Sequence, residues 1–187
     1  MILRSIVVLL CLYSSQVVAE KPVTFYGTFG IGYGDISIRS GRGFEGDDID
    51  SATAGAAITA GLSLHNRISL DLTLSTAGGI DLFGAVDSYS TTQSYFLLGY
   101  SFFPSEKISL TPKVGYGRWD VDFNEGQLFN PGAEESFNFD EGSDLVLAGE
   151  LEFRSARRFT GGLNLDYTET DFGSISNLRL FVKVKLD

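Results

Sequence analysis

The sequence contains very little cysteine, histidine, tryptophan or proline. Its 187 residues include one cysteine, one histidine, one tryptophan and four prolines. A single cysteine cannot close an intramolecular disulfide, and so few soft or imidazole ligands leave little material for a metal site. We therefore expect a fold without disulfides, with no metal site and no bound cofactor.

Long apolar runs and an excess of positive charge are also missing. After residue 20 no apolar run reaches about 18 residues, so the sequence predicts no membrane-spanning helix there. Acidic residues outnumber basic ones by 24 to 14. A chain of this charge is not expected to bind nucleic acid.

The first nineteen residues differ in composition from the rest. Arg4 is their only charge, residues 6–12 are apolar, and Val17, Val18 and Ala19 end the segment on small side chains. This order predicts a secretory signal peptide cut after Ala19, and its apolar part is too short for a membrane anchor. Residues 20–187 then form one domain. Because Arg4 is removed with the signal peptide, this domain carries 13 basic and 24 acidic residues.

Glycine, phenylalanine and tyrosine are abundant, with 22, 15 and 8 copies, and they lie in segments that alternate apolar and polar residues. A period of two predicts β-strands, since a helix needs apolar residues three and four apart. Eight segments show this period, at about residues 23–38, 53–64, 68–75, 95–102, 108–117, 144–154, 159–168 and 177–186.

The links between these segments alternate between short and long. Short hairpins are predicted at about 65–67, 103–107 and 155–158, long links at about 39–52, 76–94 and 119–143, and a shorter link on the long-link side at about 169–176. This alternation predicts an all-β, antiparallel, up-and-down barrel of eight strands. Pro112 cannot donate a ladder hydrogen bond, so we expect a bulge or a weak point there.

An alternating barrel can turn its apolar face inward, as soluble lipocalin-type barrels do, or outward into lipid. Here the polar face carries glycine, alanine, serine, threonine and charges of both signs. Such residues suit the narrow interior of eight strands, which side chains just fill. Together with the short-turn and long-loop rims, this composition favours a transmembrane barrel.

The signal peptide, the eight alternating segments, residues 112–117 (Pro-Lys-Val-Gly-Tyr-Gly) and the alternating last segment resemble the small outer-membrane barrels. That family includes the membrane domain of outer membrane protein A, outer membrane protein X and the opacity-type surface proteins. The resemblance implies a monomer in the bacterial outer membrane, in contact with lipid and lipopolysaccharide and inserted by the barrel-assembly machinery. Family members usually end in an aromatic residue, whereas this chain ends in Leu186 and Asp187.

Charged residues on the polar face would lie inside the barrel, where an unpaired ion is very costly. We expect them to pair into a structural plug, or alternatively to line a narrow polar path for small solutes. These residues are Lys113, Glu150, Glu152, Arg154, Asp166, Arg179 and Lys183, with Arg67, Asp71 and Lys185 nearer the turns.

Acidic residues mark the long loops, and hydrophobic residues accompany them. The acidic set is expected to keep the loops soluble, or to contact divalent cations or a basic partner; it comprises Glu45, Asp47, Asp48, Asp50, Glu134, Glu135, Asp140 and Glu141. The hydrophobic set predicts packed extensions of the barrel or an adhesive surface; it includes Phe44, Ile80, Leu82, Phe83, Leu128, Phe129, Phe137 and Phe139.

The single histidine, His65, lies two residues after Ser63. This spacing allows the hypothesis that the two form part of a serine hydrolase site. Eight-stranded lipid A deacylases use a serine and a histidine, but their site faces lipid in the outer leaflet, whereas Ser63 and His65 approach the short-turn rim. The sequence therefore favours a non-enzymatic surface barrel for envelope integrity or for adhesion to an external protein. A narrow porin and a lipid A-modifying enzyme are the alternatives.

Overall fold

The computed structural model describes residues 23–39, 49–79, 88–103, 107–124, 137–154 and 158–186. They form eight antiparallel strands in which each strand pairs with its neighbour in sequence and β1 closes on β8. The predicted all-β, up-and-down barrel is confirmed. Its strands are β1 (Val23–Ile38), β2 (Ile49–Leu64), β3 (Ile68–Gly79), β4 (Ser88–Tyr100), β5 (Ile108–Asn124), β6 (Phe137–Arg154), β7 (Phe159–Glu169) and β8 (Gly173–Leu186). Within the described ranges there is no helix long and apolar enough to cross a bilayer.

Tight connections lie at the end of the barrel where β1 begins and β8 ends. At the β2–β3 hairpin, His65 and Asn66 have φ of 50° and 53°, and the Arg67 N–H donates to the Leu64 carbonyl at 3.0 Å. Two positive φ angles match a type I′ turn, whose twist suits a hairpin. The predicted short link at 65–67 is thus correct.

Most strands are longer at the opposite end than the alternation predicted. The segment 119–143 was predicted to be a loop, but β5 continues to Asn124 and β6 begins at Phe137. Asp50, Asp140 and Glu141 therefore lie on strands rather than in loops. The prediction failed because apolar and polar residues exchange faces in these extensions, which interrupts the pattern seen lower down.

Of the two irregularities predicted at Pro112, the structure shows the weak point and not the bulge. The register of β5 with β6 runs through Pro112↔Gly149 without a shift, and the bulge lies instead between Val121 and Asp122. On the other side, the β4–β5 ladder stops at Gly99↔Lys113, beside Pro112. Proline lacks the N–H that this ladder needs, so only the weak point occurs where we expected it.

The barrel turns its apolar side chains outward. In β3, Leu72 and Leu74 are 57% and 52% exposed. Asp71, which precedes Leu72 in the chain, is 1% exposed and faces the lumen. A lipocalin-type barrel would have the reverse arrangement. Apolar side chains in contact with surroundings and polar ones inside are the arrangement of a barrel in lipid.

Above the membrane this arrangement is inverted. On β5, Tyr116 points outward and is 61% exposed, but Trp119 and Val121 point inward and are buried, while Arg118 and Asp120 face outward. A strand wall that is polar outside and apolar inside suits water. The exchange of faces beyond Tyr116 therefore marks the outer boundary of the membrane, and the barrel extends past it.

Candidate functional site: the filled lumen and the outer extension

The lower lumen holds a chain of five alternating charges. Lys113 Nζ lies 2.6 Å from both Asp71 Oδ2 and Glu150 Oε2. Lys183 Nζ joins Glu150 to Glu152 through hydrogen bonds to both carboxylates. All five side chains are nearly inaccessible to solvent, so the carboxylates replace the hydration that the ammonium groups lose.

Four strands supply this chain of charges, and small residues leave space for it. Asp71, Lys113, Glu150 and Lys183 come from β3, β5, β6 and β8, each at an inward position of its strand. On β2, a Cβ added to Gly61 would lie 2.5 Å from Asp71 Oδ1. Glycine at this position leaves room for the carboxylate and for its hydrogen bond from Tyr26.

A second polar group lies higher in the lumen, around one buried ion pair. Arg179 on β8 pairs with Asp166 on β7 and donates to Ser75 Oγ on β3 at 2.6 Å. The Tyr95 hydroxyl, from β4, donates to Asp166 at 3.2 Å, and Asn177 Nδ2 donates to the same carboxylate at 2.7 Å. The group links opposite walls of the barrel.

The outer end of the lumen is closed by apolar side chains. Trp119 packs edge-to-face on Phe172 with ring centroids 5.2 Å apart, and its Nε1 donates to Asp144 Oδ2 at 2.9 Å. This apolar cap is a small hydrophobic core within the extension; its buried members are Ile36, Ile38, Tyr89, Trp119, Val121, Phe172 and Ile175.

Two small cavities lie beside the lower charges. One, between the two polar groups, has a volume of about 30 Å³ and is lined by Thr28 and Arg179, whose Oγ1 and Nε atoms have no partner among the described residues. The other, of about 30 Å³, lies towards the short-turn end and is lined by Ser69 and Lys185. Each volume suits one or two water molecules.

The structure brings six of the seven predicted lumen charges into these two groups. Lys113, Glu150, Glu152 and Lys183 share the lower chain, and Asp166 and Arg179 form the upper pair. The Arg154 side chain lies outside the part of the chain that the structure describes.

Asp71, which was expected nearer the turns, lies four residues into β3 and forms one end of the five-charge chain through Lys113. The sequence analysis missed Tyr26 and Gln93 as polar lumen residues, whereas Tyr95 and Asn177 lie on the polar face of their predicted segments. Their inward alternation could have indicated the face on which each lies. It could not have indicated their partners, which are up to 84 residues away in the sequence.

Ser63 and His65 do not form a catalytic pair in this structure. Ser63 lines the lower cavity, whereas His65 is exposed in the hairpin turn with a positive φ. Among the described residues, no group of three or more histidine, cysteine, aspartate or glutamate side chains is arranged to hold a metal ion.

The predicted loop residues are only partly described. Glu45, Asp47, Asp48, Glu134 and Glu135 lie outside the described residues, as do Phe44, Ile80, Leu82, Phe83, Leu128 and Phe129 and the side chains of Phe137 and Phe139. Asp50 accepts a hydrogen bond from Ser37 Oγ at 2.7 Å and lies 3.5 Å from Arg39.

The outer wall of the extension is acidic around β5 and β6. Arg118 Nη2 lies 2.5 Å from Glu141 Oε2, with both side chains exposed. Partial burial raises the pKa of Asp120, and the neighbouring carboxylates of Asp122 and Glu141 raise it further against the opposing effect of Arg118. Carboxylates thus outnumber the one arginine on this wall.

Comparison with known proteins gives one family and several similar structures. A family model described as outer membrane protein β-barrel domain matches residues 5–184. Among curated proteins, none is significantly similar to the chain in sequence.

Three solved barrels share the fold at low sequence identity. Neisserial surface protein A is 10% identical with a TM-score of 0.68, over 89% of this chain and 100% of that one. Ail, the attachment invasion locus protein of Yersinia pestis, is 14% identical with a TM-score of 0.58, over 86% and 98%. The N-terminal barrel domain of Pseudomonas aeruginosa OprF is 15% identical with a TM-score of 0.53, over 89% and 98%. At these identities the likeness concerns the fold alone.

Proposed function

We propose a role that proceeds from one premise: the chain belongs to the outer membrane protein β-barrel domain family, whose model matches residues 5–184. The protein accordingly resides in the bacterial outer membrane, with the leucines and aromatic residues of its outer wall in contact with lipid. Its function depends on what the lumen permits and on what the extension presents to the outside.

Our proposal is that the protein is a non-enzymatic, plugged barrel that carries an extracellular extension for surface interaction, and in doing so supports the envelope. The observation that carries it is the filling of the lumen. Buried ion pairs occupy the lower part, and the apolar cap around Trp119 and Phe172 closes the outer part. Eight strands leave an interior that such side chains fill.

The narrow porin is the weaker candidate. Its polar path would have to pass the five-charge chain, the Arg179–Asp166 pair and then the apolar cap, beside cavities of about 30 Å³. Planar-bilayer recording tests this directly. We expect no stable single-channel steps from the purified barrel, and large, steady conductance would refute the plug.

The enzyme candidate would require Ser63 and His65 to act together. Their separation, one lining a lumen cavity and one exposed in a turn, supports a non-enzymatic role. Ser63→Ala should leave the lipid A profile of an expressing strain unchanged, and loss of a deacylated species in that variant would overturn this part of the proposal.

The surface role is tested by shortening the links that join the long strands. Residues 40–48, 80–87 and 125–136 are replaced, one set at a time, by short glycine-serine turns. Each variant is checked for a heat-dependent shift in gel mobility, and its binding to host cells and serum proteins is measured. Folded variants that lose binding support the proposal, whereas a wild-type barrel that binds nothing contradicts it.

The same proposal includes the partners expected of such a barrel. They are lipopolysaccharide around the outer wall, the barrel-assembly machinery during insertion and an external protein at the extension, with the barrel itself a monomer. Crosslinking in intact cells checks the last point, since a monomer should give no ladder of homo-oligomers.

A further inference from the structure

Above the membrane, β6 rises beyond its neighbour β7. The two strands pair only from Val146↔Thr168 to Arg154↔Thr160. β7 ends at Glu169, and the chain turns back through Asp171 and Phe172. Residues 137–145 of β6 therefore pair with β5 but have no described strand on their other side.

The register shows which backbone groups face that open side. Leu110 of β5 exchanges two hydrogen bonds with Phe102, so even-numbered residues of β5 direct their N–H and C=O groups towards β4. Odd-numbered residues of β5 then bond to their partners in β6, which include Gly142 and Asp144. Glu141, Ser143 and Leu145 of β6 consequently direct their backbone groups away from β5, towards the open side.

Side chains cover part of this edge. The Glu141 N–H donates to Asp140 Oδ1 at 2.9 Å, and the Ser143 carbonyl accepts from the Tyr116 hydroxyl at 2.8 Å. Both bonds are made by exposed groups, so an incoming strand could replace them at little cost. The Ser143 N–H has no strand opposite it in the described part of the chain.

The space beside the edge is large enough for another chain segment and is acidic. A surface gap of about 600 Å³ lies above the end of β7, with Leu145 and Tyr167 on its membrane side and the acidic residues Glu169 and Asp171 beside it. Three further carboxylates, those of Asp120, Asp122 and Glu141, lie on the adjoining outer wall with one arginine. Charge complementarity therefore favours a basic occupant.

We propose that the open edge of β6, residues 141–145, is a docking strand to which an extended, positively charged segment of another protein adds as a further strand. Main-chain hydrogen bonds to Ser143 and Leu145 would supply affinity, and the surrounding carboxylates would select lysine or arginine. A second copy of this chain is disfavoured, because two such edges would bring acidic side chains together. The inference rests on the proposed surface role and specifies its site.

The test uses the purified full barrel in nanodiscs of zwitterionic phosphatidylcholine, so that lipid does not capture the probe. The probe is a capped ten-residue peptide that alternates lysine and valine. Two control peptides are an alternating glutamate–valine sequence and the lysine–valine peptide with every backbone nitrogen methylated. Fluorescence anisotropy measures binding, and hydrogen exchange measures protection of the Ser143 and Leu145 amides.

Matched variants separate backbone pairing from charge. Ser143→Pro removes an N–H that faces the open side and leaves the β5 ladder intact, while Ser143→Ala keeps that N–H. Asp171→Asn removes a charge at the gap, and Asp50→Asn removes one on β2, across the barrel. We expect at least tenfold weaker binding for Ser143→Pro, a few-fold for Asp171→Asn, and no change for the two controls.

Several outcomes would overturn the docking strand. They are equal binding of the methylated peptide, which indicates charge attraction alone; equal binding by folded Ser143→Pro; crosslinked β6–β6 dimers without peptide binding; and no binding of the lysine–valine peptide.

The proposed surface role and the proposed docking strand can be refuted independently. If cells bind the wild type and Ser143→Pro equally, the surface role stands without this edge, whereas peptide binding without cell binding preserves the edge and removes the role.

Discussion

The five-charge chain in the lower lumen allows a quantitative test of how the barrel is stabilised. Its three carboxylates and two ammonium groups sum to −1. Lys113→Met changes this sum to −2. It leaves Asp71 without a cation and leaves Glu150 with only one of its two lysine partners, Lys183. Removing one partner of a buried pair costs about 3–5 kcal/mol. We expect a loss of that size in the free energy of unfolding.

The middle charge should matter much less. Glu150→Gln brings the sum to zero and divides the chain into two pairs, Asp71–Lys113 and Lys183–Glu152. The amide keeps a similar shape and can still accept a hydrogen bond, so we expect a loss of about 1 kcal/mol. A fully buried glutamate that bridges two lysines would thus be easier to replace than either lysine.

Urea unfolding of the refolded barrel in phospholipid vesicles measures both losses through the fluorescence of Trp119, the single tryptophan, excited selectively over the tyrosines. Lys107→Met, at an exposed position near the short turns, controls for the change of side chain. If Glu150→Gln destabilised the barrel as much as Lys113→Met, charge balance would not be what sets its stability. A Lys113→Met variant with the same free energy of unfolding as the wild type would show that stability does not need the pairing at all.

Three further predictions concern space, packing and pH. Gly61→Ala should lower the free energy of unfolding by about 1–3 kcal/mol through overpacking, whereas Gly149→Ala, whose Cβ would meet nothing within 4 Å, should be neutral in the same urea assay. Phe172→Ala should cost about 3–5 kcal/mol and shift the Trp119 emission to longer wavelength. Because its folded pKa is raised, Asp120 favours folding while protonated, and this contribution is lost as the pH rises from 3.8 through the raised pKa. Asp120→Asn should therefore flatten that decline in the unfolding midpoint.

Each of these predictions has a result that would contradict it. Equal midpoints for the two glycine variants would mean that the lumen is looser than the contacts imply. An unchanged emission maximum in Phe172→Ala would place Trp119 outside the apolar cap. A steeper fall of stability with rising pH in Asp120→Asn than in the wild type would reverse the sign argued for that carboxyl group.

The sequence by itself determined the number of strands, the face that each presents and the end of the barrel that carries the tight turns. Alternation is a local property, because successive side chains of a strand point to opposite faces. Leu72 and Asp71, adjacent in β3, could therefore be placed on opposite faces from their order alone, and the small residues and mixed charges of the polar face assigned that face to the lumen. The alternating links between segments then implied a meander.

Only the tertiary structure decided which lumen residues meet. Arg179 contacts Ser75, 104 residues away, because the stagger of the strands and the closure of β1 on β8 set which inward positions share a level. The inverted extension and the open edge of β6 were missed for a related reason. The exchange of faces beyond Tyr116 reflects where the membrane ends along the barrel. The open edge of β6 reflects the unequal lengths of β6 and β7 above the membrane. Neither is a property of one strand's sequence.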